Sequence, residues 1–325
     1  MQIYRGLEEL PAQPAPSAIT IGNFDGVHLG HQRVLGTLAE QAARYQARSV
    51  AVTFDPHPAF VHRPESTPQL LTGLGEKLAR IEAAGAHTVL VLPYNEELYM
   101  LSAEEFVSRY FVDALNAAVV VVGHDIHFGR ARDGDFTTMV DLGGRFGFDV
   151  VGVDDLEIMG PDGQQLHARC SSTAIRTALA DGDVASAARM LGQPHSMTGE
   201  VVHGQARGRE LGFPTANLAQ DAEGLIPADG IYAGWLFDEN HMRWPAAISV
   251  GSNPTFQGVE RVVEAHVIDR TDASIEDFDL YGQQARVEFV ERLRGMVAFE
   301  GIEKLCAQMA EDVDQTRRVL AQCRV

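Results

Sequence analysis

Apolar residues in the first half of the chain come in short continuous runs. Ala18–Gly22, Ser49–Phe54, Thr88–Leu92, Val119–Gly123 and Asp149–Val153 are strand-like, and several have the unbroken apolar character of strands buried on both faces. Helix-like segments lie between them, near Gln32–Tyr45, Gly75–Ala84, Ala103–Leu115 and Thr137–Arg145. This βα alternation predicts a doubly wound parallel sheet, whose ligands bind beyond the carboxyl ends of the strands. The polar loops at those ends, Asn23–Gly30, Asp55–Pro58 and His124–Asp135, are therefore expected to line one cleft.

Helical character continues through Thr173–Leu179 and Val184–Leu191, with a break at Asp181-Gly182-Asp183. From about Ser196 the pattern changes to period-2 alternation punctuated by turn residues. Met197–His203, Phe213–Leu218, Ile231–Phe237, Ala246–Gly251, Val262–Asp269 and Ala285–Val290 read as strands of a small antiparallel barrel. Ile302, Leu305, Met309, Val313 and Leu320 recur at roughly helical spacing, which predicts a terminal helix packed on that barrel. The boundary between the halves falls near residues 185–195, with no disordered linker or internal repeat.

At 325 residues the chain is long enough for two domains, and 45% hydrophobic with 22% charged residues is ordinary globular composition. No apolar run is long enough for a membrane span, and Met1–Leu10 lacks a signal-peptide core. Three cysteines, Cys170, Cys306 and Cys323, are odd in number and show no CxxC spacing, which favours a reducing cytoplasm over a disulfide framework or a zinc site. A net charge of −19 weighs against nucleic acid as a partner. Small-molecule substrates are expected instead, with no membrane partner; self-association is left open. Lysine occurs only at Lys77 and Lys304, and neither closes a Walker A loop. Phosphate chemistry here must rest on arginine, histidine, backbone amides and metal.

The first candidate chemistry is at Asn23–His31, where a strand gives way to a helix. Glycines there permit a tight turn, and a helix start offers N–H groups to an anion. His28 and His31, with Asp25 just before them, can donate hydrogen bonds to a phosphate under attack. A lone HxGH is equally compatible with two histidines satisfied in a core. A second helix start, Ser172-Thr173 with Arg176 one turn in and Arg169 just before, forms another anion-binding pattern. Two such starts in one α/β domain suit a triphosphate.

These segments resemble a known family. FDGVHLGH, TFDPHP (Thr53–Pro58), VVGHDIHFG (Val121–Gly129) with Gly134-Asp135, and SSTAIR are similar to the adenylyltransferase module of prokaryotic bifunctional riboflavin kinase/FAD synthetases. Ile126 stands where the family often has an aromatic, and Cys170 where an aliphatic is usual. The resemblance implies that Gly22, Phe24, Asp25, His28, His31, Asp125, Arg169, Ser172, Thr173 and Arg176 hold ATP, with His28 and His31 catalytic. It implies further that Pro56, Pro58 and Phe128 border the flavin.

In the barrel half, Thr215 and Asn217 alternate with Ala216 along an extended stretch, so both point one way. Their oxygens are hard ligands that suit Mg²⁺ beside nucleotide phosphates. GFPTAN, Asn253-Pro254-Thr255-Phe256, Val263-Glu264-Ala265-His266 and Leu280-Tyr281-Gly282 follow in the order of the riboflavin kinase barrel. That resemblance implies Glu264 as the general base, Thr215 and Asn217 as metal ligands, and Gly204, Arg207, Gly208, Pro214, Thr215 and Asn217 around the nucleotide. Arg270–Leu280 is acidic, longer than the usual turn there, and expected to bulge as a surface loop. The expected fold is a Rossmann-like nucleotidyltransferase domain, residues 1–186, followed by a six-stranded antiparallel riboflavin kinase barrel with a C-terminal helix, residues 187–325. The expected activity is phosphorylation of riboflavin to FMN, then adenylyl transfer from ATP to FMN giving FAD and pyrophosphate, with Mg²⁺. The alternatives are a nucleotidyltransferase for another phosphorylated metabolite, or a non-enzymatic flavin sensor that contacts nucleic acid.

Overall fold

A computed structural model describes residues 1–62, 64–159, 165–204, 215–255, 258–269 and 280–323. They form two compact units. The first is Met1–Gln69 with Gly73–Ser171; the second is Leu70–Thr72 with Ser172–Val325.

The first unit is built on six strands: β1 (Gln2–Arg5), β2 (Ser17–Ile21), β3 (Arg48–Asp55), β4 (Thr88–Pro93), β5 (Ala117–Gly123) and β6 (Asp149–Val153). Their order is β1-β4-β3-β2-β5-β6, and every pairing is parallel. Alternate side chains feed two separate cores. Ile19, Ile21, Val50, Val52, Leu90, Leu92, Val120 and Val122 face one; Ala18, Ala51, Val89, Val91, Val119 and Val121 face the other. That two-sided burial is why these strands read as continuous apolar runs. The chain winds from β2 to β3 on one side and reaches β5 on the other. The order therefore reverses at β2, and the crevice at a topological switch point opens beyond its carboxyl end.

Helices α1 (Leu29–Arg44), α2 (Pro58–His62), α3 (Leu74–Ala83), α4 (Glu96–Tyr99), α5 (Ala103–Phe106) and α6 (Phe136–Phe146) fill the crossovers. The helix expected over Ala103–Leu115 is not uniform. A capping box between Ser102 and Glu105 starts it, and from Val107 to Ala114 it widens into π-type turns that bury Val107, Tyr110 and Phe111. Two elements lie outside the expected pattern: the edge strand β1, and the hairpin of β7 (Glu157–Met159) with β8 (Gln165–Arg169).

The second unit begins with α7 (Ser172–Ala180) and α8 (Val184–Leu191). It continues through β9 (His195–Val202), β10 (Thr215–Leu218), β11 (Gly230–Phe237), β12 (Arg243–Thr255), β13 (Gly258–Val267) and β14 (Gln284–Arg294). These close into an antiparallel barrel of order β10-β13-β12-β11-β14-β9. Tyr232, Leu236, Ile248, Val250, Val263, Ala265, Val287 and Phe289 are buried. β12 and β14 run beyond the apolar segments that announced them, because ladder pairing continues through polar residues and through Pro245 and Pro254. Helix α9 (Ile302–Gln322) packs against β11, β12 and β14. Val313 and Leu320 are buried in that contact, whereas Ile302, expected on the same face, is exposed.

Candidate functional site

β2 ends at Ile21, and the Gly22 amide continues its ladder to the Val52 carbonyl at 3.1 Å. A Cβ on Gly22 would come within 3.2 Å of the Phe24 ring, so the bare glycine admits that ring. Two of the next residues are strained, Phe24 at φ 50° and Val27 at 44°, with Gly26 between them at 81°, a value open to glycine. A β-branched residue at positive φ is costly and persists only where its surroundings enforce it. Phe24 and Val27 are fully buried here, Arg80 Nη1 donates to the Gly26 carbonyl at 3.1 Å, and Thr53 Oγ1 donates to the Asn23 carbonyl at 3.3 Å.

This turn delivers His28 to the start of α1 as its cap, where Nδ1 accepts from the His31 amide at 3.4 Å. The two imidazoles stack at 3.7 Å and 20°, with the Phe24 ring edge-on to His31 at 5.2 Å. Burial pushes the His28 pKa down to about 4, helped by the nearby Arg169 charge; burial, then His28, holds His31 well below the ordinary value. Both rings are therefore neutral at pH 7 and serve as hydrogen-bonding groups, not cations. His31 Nδ1 is buried and has no partner among the described residues.

The helix start is not open to an anion in the way the sequence suggested. The Leu29 and Gly30 amides donate to the Cys170 sulfur, the His31 amide to His28, and the Gln32 amide to the His28 carbonyl. Recognition in this loop falls to side chains.

Arg169, the last residue of β8, supplies the positive charge. It pairs with Asp125 beyond β5 and with Asp155 beyond β6 at 3.1 Å. Gly123 leaves room for this arrangement, since a Cβ there would come within 2.8 Å of Asp125 Oδ1. Residues around four strand ends thus converge on one cavity of about 780 Å³. Gly22, Phe24, His28, His31, Pro58, Asp125, Phe128 and Arg169 line it; Asp25 is buried and Pro56 does not line it. Asp55-Pro56 is a cis peptide. Ser171 is on the wall, and the chain runs directly from it into Ser172, Thr173 and Arg176 on α7.

The cavity also has an aromatic wall absent from the sequence-based site. Tyr94 meets Phe54 edge-on at 5.4 Å, His62 Nε2 and Tyr94 Oη lie 2.6 Å apart, and Tyr99 lies against both His62 and Tyr94. Burial raises the Tyr94 phenol pKa. The signal was available: Tyr94 and Tyr99 follow β4, and the rule that pointed to the loops after β2, β3 and β5 applies equally there.

In the barrel, strand register lines up a second group. Asn217 on β10 faces Glu264 on β13, which faces Ser249 on β12. Directly opposed residues share a face, so all three point the same way. Asn217 Nδ2 lies 3.3 Å from Thr215 Oγ1, which joins Thr215 to the row. Burial raises the Glu264 pKa. A Cβ on Gly204 would come within 2.5 Å of the Asn217 amide, so only glycine allows that approach. The His203 and Tyr281 rings stack at 3.7 Å. Arg207, Gly208 and Pro214 lie outside the described residues, as do positions 270–279 of the Arg270–Leu280 insertion.

Comparison with known proteins identifies the family. A family model described as FAD synthetase matches residues 10–164, and one described as riboflavin kinase matches residues 191–320. Bifunctional riboflavin kinase/FMN adenylyltransferases are similar along nearly the whole chain. The protein of Pseudomonas fluorescens is 37% identical over 99% of this chain and 98% of its own. That of Bacillus subtilis is 35% identical over 96% and 95%, and that of Escherichia coli K12 33% identical over 96% of each. A crystal structure described as a macrolide-efflux protein from Streptococcus pneumoniae has the same fold, with a TM-score of 0.84 and 28% identity over 98% of this chain and 99% of that one. No described helix of the present chain is long and apolar enough to cross a membrane. Riboflavin, FMN, FAD and ATP are the substrates and products of the two activities, the adenylyltransferase being N-terminal and the kinase C-terminal. With relatives above 30% identity along almost its full length, the chain belongs to the bifunctional riboflavin kinase/FMN adenylyltransferase family.

Proposed function

We propose that adenylyl transfer runs in the cavity of the first unit and phosphorylation on the Asn217–Glu264–Ser249 face of the barrel, with residues 1–186 and 187–325 as the two functional halves. The observation that carries the reading is the chemistry of the cavity: two stacked neutral imidazoles, a guanidinium between two carboxylates, and an aromatic wall.

In the first half, an FMN phosphate oxygen attacks the α-phosphorus of ATP and pyrophosphate leaves. No protein nucleophile is needed, so catalysis is positioning and charge stabilisation. His28 and His31 donate to phosphate oxygens from ring N–H groups, and Arg169 supplies the fixed positive charge. Gly22, Phe24, Asp25, Asp125, Ser172, Thr173 and Arg176 complete ATP binding, the last three by resemblance. Asp25 lies buried beneath the loop and not on the cavity wall. The flat flavin ring stacks along Phe54, Tyr94 and Tyr99, with Pro58 and Phe128 at its border.

In the second half, Glu264 takes the proton of the ribityl hydroxyl as that oxygen attacks the γ-phosphorus. Its burial makes it a stronger base than a free carboxylate. Thr215 and Asn217 are neighbouring hard-oxygen residues, a donor set that fits Mg²⁺, and they are the residues that would hold it. Bound there, Mg²⁺ neutralises phosphate charge. Gly204, Arg207, Gly208 and Pro214 complete the nucleotide site by resemblance. The odd, unclustered cysteines support a reducing cytoplasm as the setting.

The test is to incubate the protein with riboflavin, ATP and Mg²⁺ and separate the flavins. Glu264→Ala is expected to stop FMN formation while FAD still forms from added FMN; His28→Ala is expected to do the reverse. Loss of both activities from either change, with the fold intact, would overturn the two-site division.

A further inference from the structure

Helix α3 carries two buried cations that bind no substrate in the proposed reaction. Lys77 is 7% exposed and Arg80 8%, and their spacing puts them on one face. Burying a charge is expensive unless it is paired and hydrogen-bonded, so both positions require a reason. The chain is otherwise sparing with lysine: of 26 Lys and Arg residues, only Lys77 and Lys304 are lysine. A compact ammonium stands at position 77, where a wide planar guanidinium would be a different object.

Their contacts converge on one turn. Lys77 Nζ lies 3.3 Å from Thr53 Oγ1 and 3.2 Å from the Phe54 carbonyl at the end of β3. Thr53 Oγ1 in turn donates to the Asn23 carbonyl at 3.3 Å. Arg80 Nη1 donates to the Gly26 carbonyl at 3.1 Å, while its Nε is steadied by Glu76 at 2.8 Å. The carbonyls of Asn23 and Gly26 bracket Phe24-Asp25, and Phe24 is one of the two non-glycine residues held at positive φ just before His28. Burial lowers the Lys77 pKa, and the Asp25 and Asp55 carboxylates oppose that shift and favour its charged form.

We infer that Lys77 and Arg80 are positioning residues for adenylyl transfer: α3 grips the strained turn on both sides, Lys77 through Thr53 and Arg80 directly, and so fixes where the His28 imidazole stands. This rests on the reading of His28 given above. Strain in a turn is useful only if the turn cannot relax, and two buried hydrogen-bonded charges are a means of preventing it. Displacing a catalytic group by an ångström can cost about 100-fold in rate while leaving the ligand pocket formed.

The test uses the full chain with Lys77→Met and Arg80→Met made separately, Thr53→Val as a milder change and Lys77→Arg as the charge-keeping one. FAD formation from FMN and ATP gives kcat and KM; calorimetry gives the number of FMN sites per chain relative to wild type. Riboflavin phosphorylation in the other unit is the internal control. The expected result for both Met variants is a kcat lower by about 10- to 100-fold, with FMN sites retained, KM for ATP within about threefold of wild type, and the kinase rate unchanged. Thr53→Val should lie between, and Lys77→Arg should recover about threefold or more over Lys77→Met. A kcat within about threefold of wild type in either Met variant, or a loss that only tracks lost FMN sites, overturns the inference. His28→Ala, assayed alongside, separates the two claims. If it stays fully active, the reading of His28 fails; if it is inactive while Lys77→Met is active, positioning by α3 fails.

Discussion

The Cys170 sulfur stands 3.5 Å from Nδ1 of His28, across 142 residues of sequence. It accepts hydrogen bonds from the Leu29 and Gly30 amides, so the thiol proton is the group left to face the imidazole. With the His31 amide also directed at Nδ1, that nitrogen is the acceptor of the ring and the ring proton belongs on Nε2. Burial pushes the thiol pKa up, so Cys170 is a neutral donor and not a reactive thiolate.

Removing the thiol should therefore loosen the tautomer and orientation of His28 without emptying the site. We expect Cys170→Ala to lower kcat for FAD synthesis by about fivefold, the worth of one ordinary hydrogen bond. Cys170→Ser, which keeps a donor, should stay near wild type, and riboflavin phosphorylation should be unaffected in both. Equal FAD synthesis by the Ala and Ser variants would mean that the thiol only fills space.

The buried imidazoles also make a prediction about acid. His28 titrates at 6.5 when exposed and at about 4 in the folded chain. Between those values the unfolded chain binds more protons, so the stability that His28 confers by staying neutral is complete above pH 6.5 and is lost as pH falls toward 4. The shift corresponds to a loss on the order of 3 kcal/mol. Calorimetric unfolding of wild type and His28→Gln across this range should give a shallower decline for the variant. Parallel curves would contradict a buried neutral His28.

Much of the first unit was legible because its strands are buried on both faces. β2 to β6 appear as apolar runs within about two residues of their true ends. β1 was not, since Gln2-Ile3-Tyr4-Arg5 mixes polar and apolar residues and pairs only along one edge. The β7–β8 hairpin is short for the same kind of recognition. At the site, residue identities could be read from motifs, but not their relations. That Cys170 and His28 absorb the first amides of α1, or that Ser249 joins Asn217 and Glu264 in one row, depends on three-dimensional pairing across long sequence separations. Tyr94 and Tyr99 lacked a motif, although the strand-end rule reached them.

Among the described residues, two ion pairs tie helix α9 to the barrel, the part-buried Arg294–Asp312 and the exposed Arg317–Asp269. Arg294 meets both Asp312 oxygens, at 2.8 and 2.7 Å, and Gln308 adds a third contact at 3.1 Å. Asp312→Ala leaves the guanidinium without its partner, which typically costs about 3–5 kcal/mol; replacing both residues by apolar ones can be close to neutral. The chain's two tryptophans, Trp235 and Trp244, are on β11 and β12, so fluorescence reports this unit. Denaturant unfolding followed by tryptophan emission should shift strongly for Asp312→Ala and be largely restored in Arg294→Met with Asp312→Leu. An unshifted midpoint for the single variant would mean that the Arg294–Asp312 pair does not hold α9 in place.

Gly204 offers the cleanest separation of fold from catalysis in the barrel. A Cβ there would stand 2.5 Å from Asn217 Oδ1 and 2.6 Å from Nδ2. The clash involves the far end of one side chain, so the amide can swing away and the strands need not move. Gly204→Ala should therefore leave the tryptophan-detected unfolding midpoint almost unchanged and leave FAD synthesis from FMN intact. Its effect should fall on riboflavin phosphorylation, because the displaced amide is the one proposed to hold Mg²⁺ beside Thr215. We expect a drop of about tenfold or more in kinase kcat, since loss of one oxygen ligand weakens the stabilisation of phosphoryl charge. Raising the Mg²⁺ concentration should recover part of it. If Gly204→Ala phosphorylates riboflavin at the wild-type rate, Asn217 is not a ligand in that step, and the metal belongs elsewhere on the barrel face.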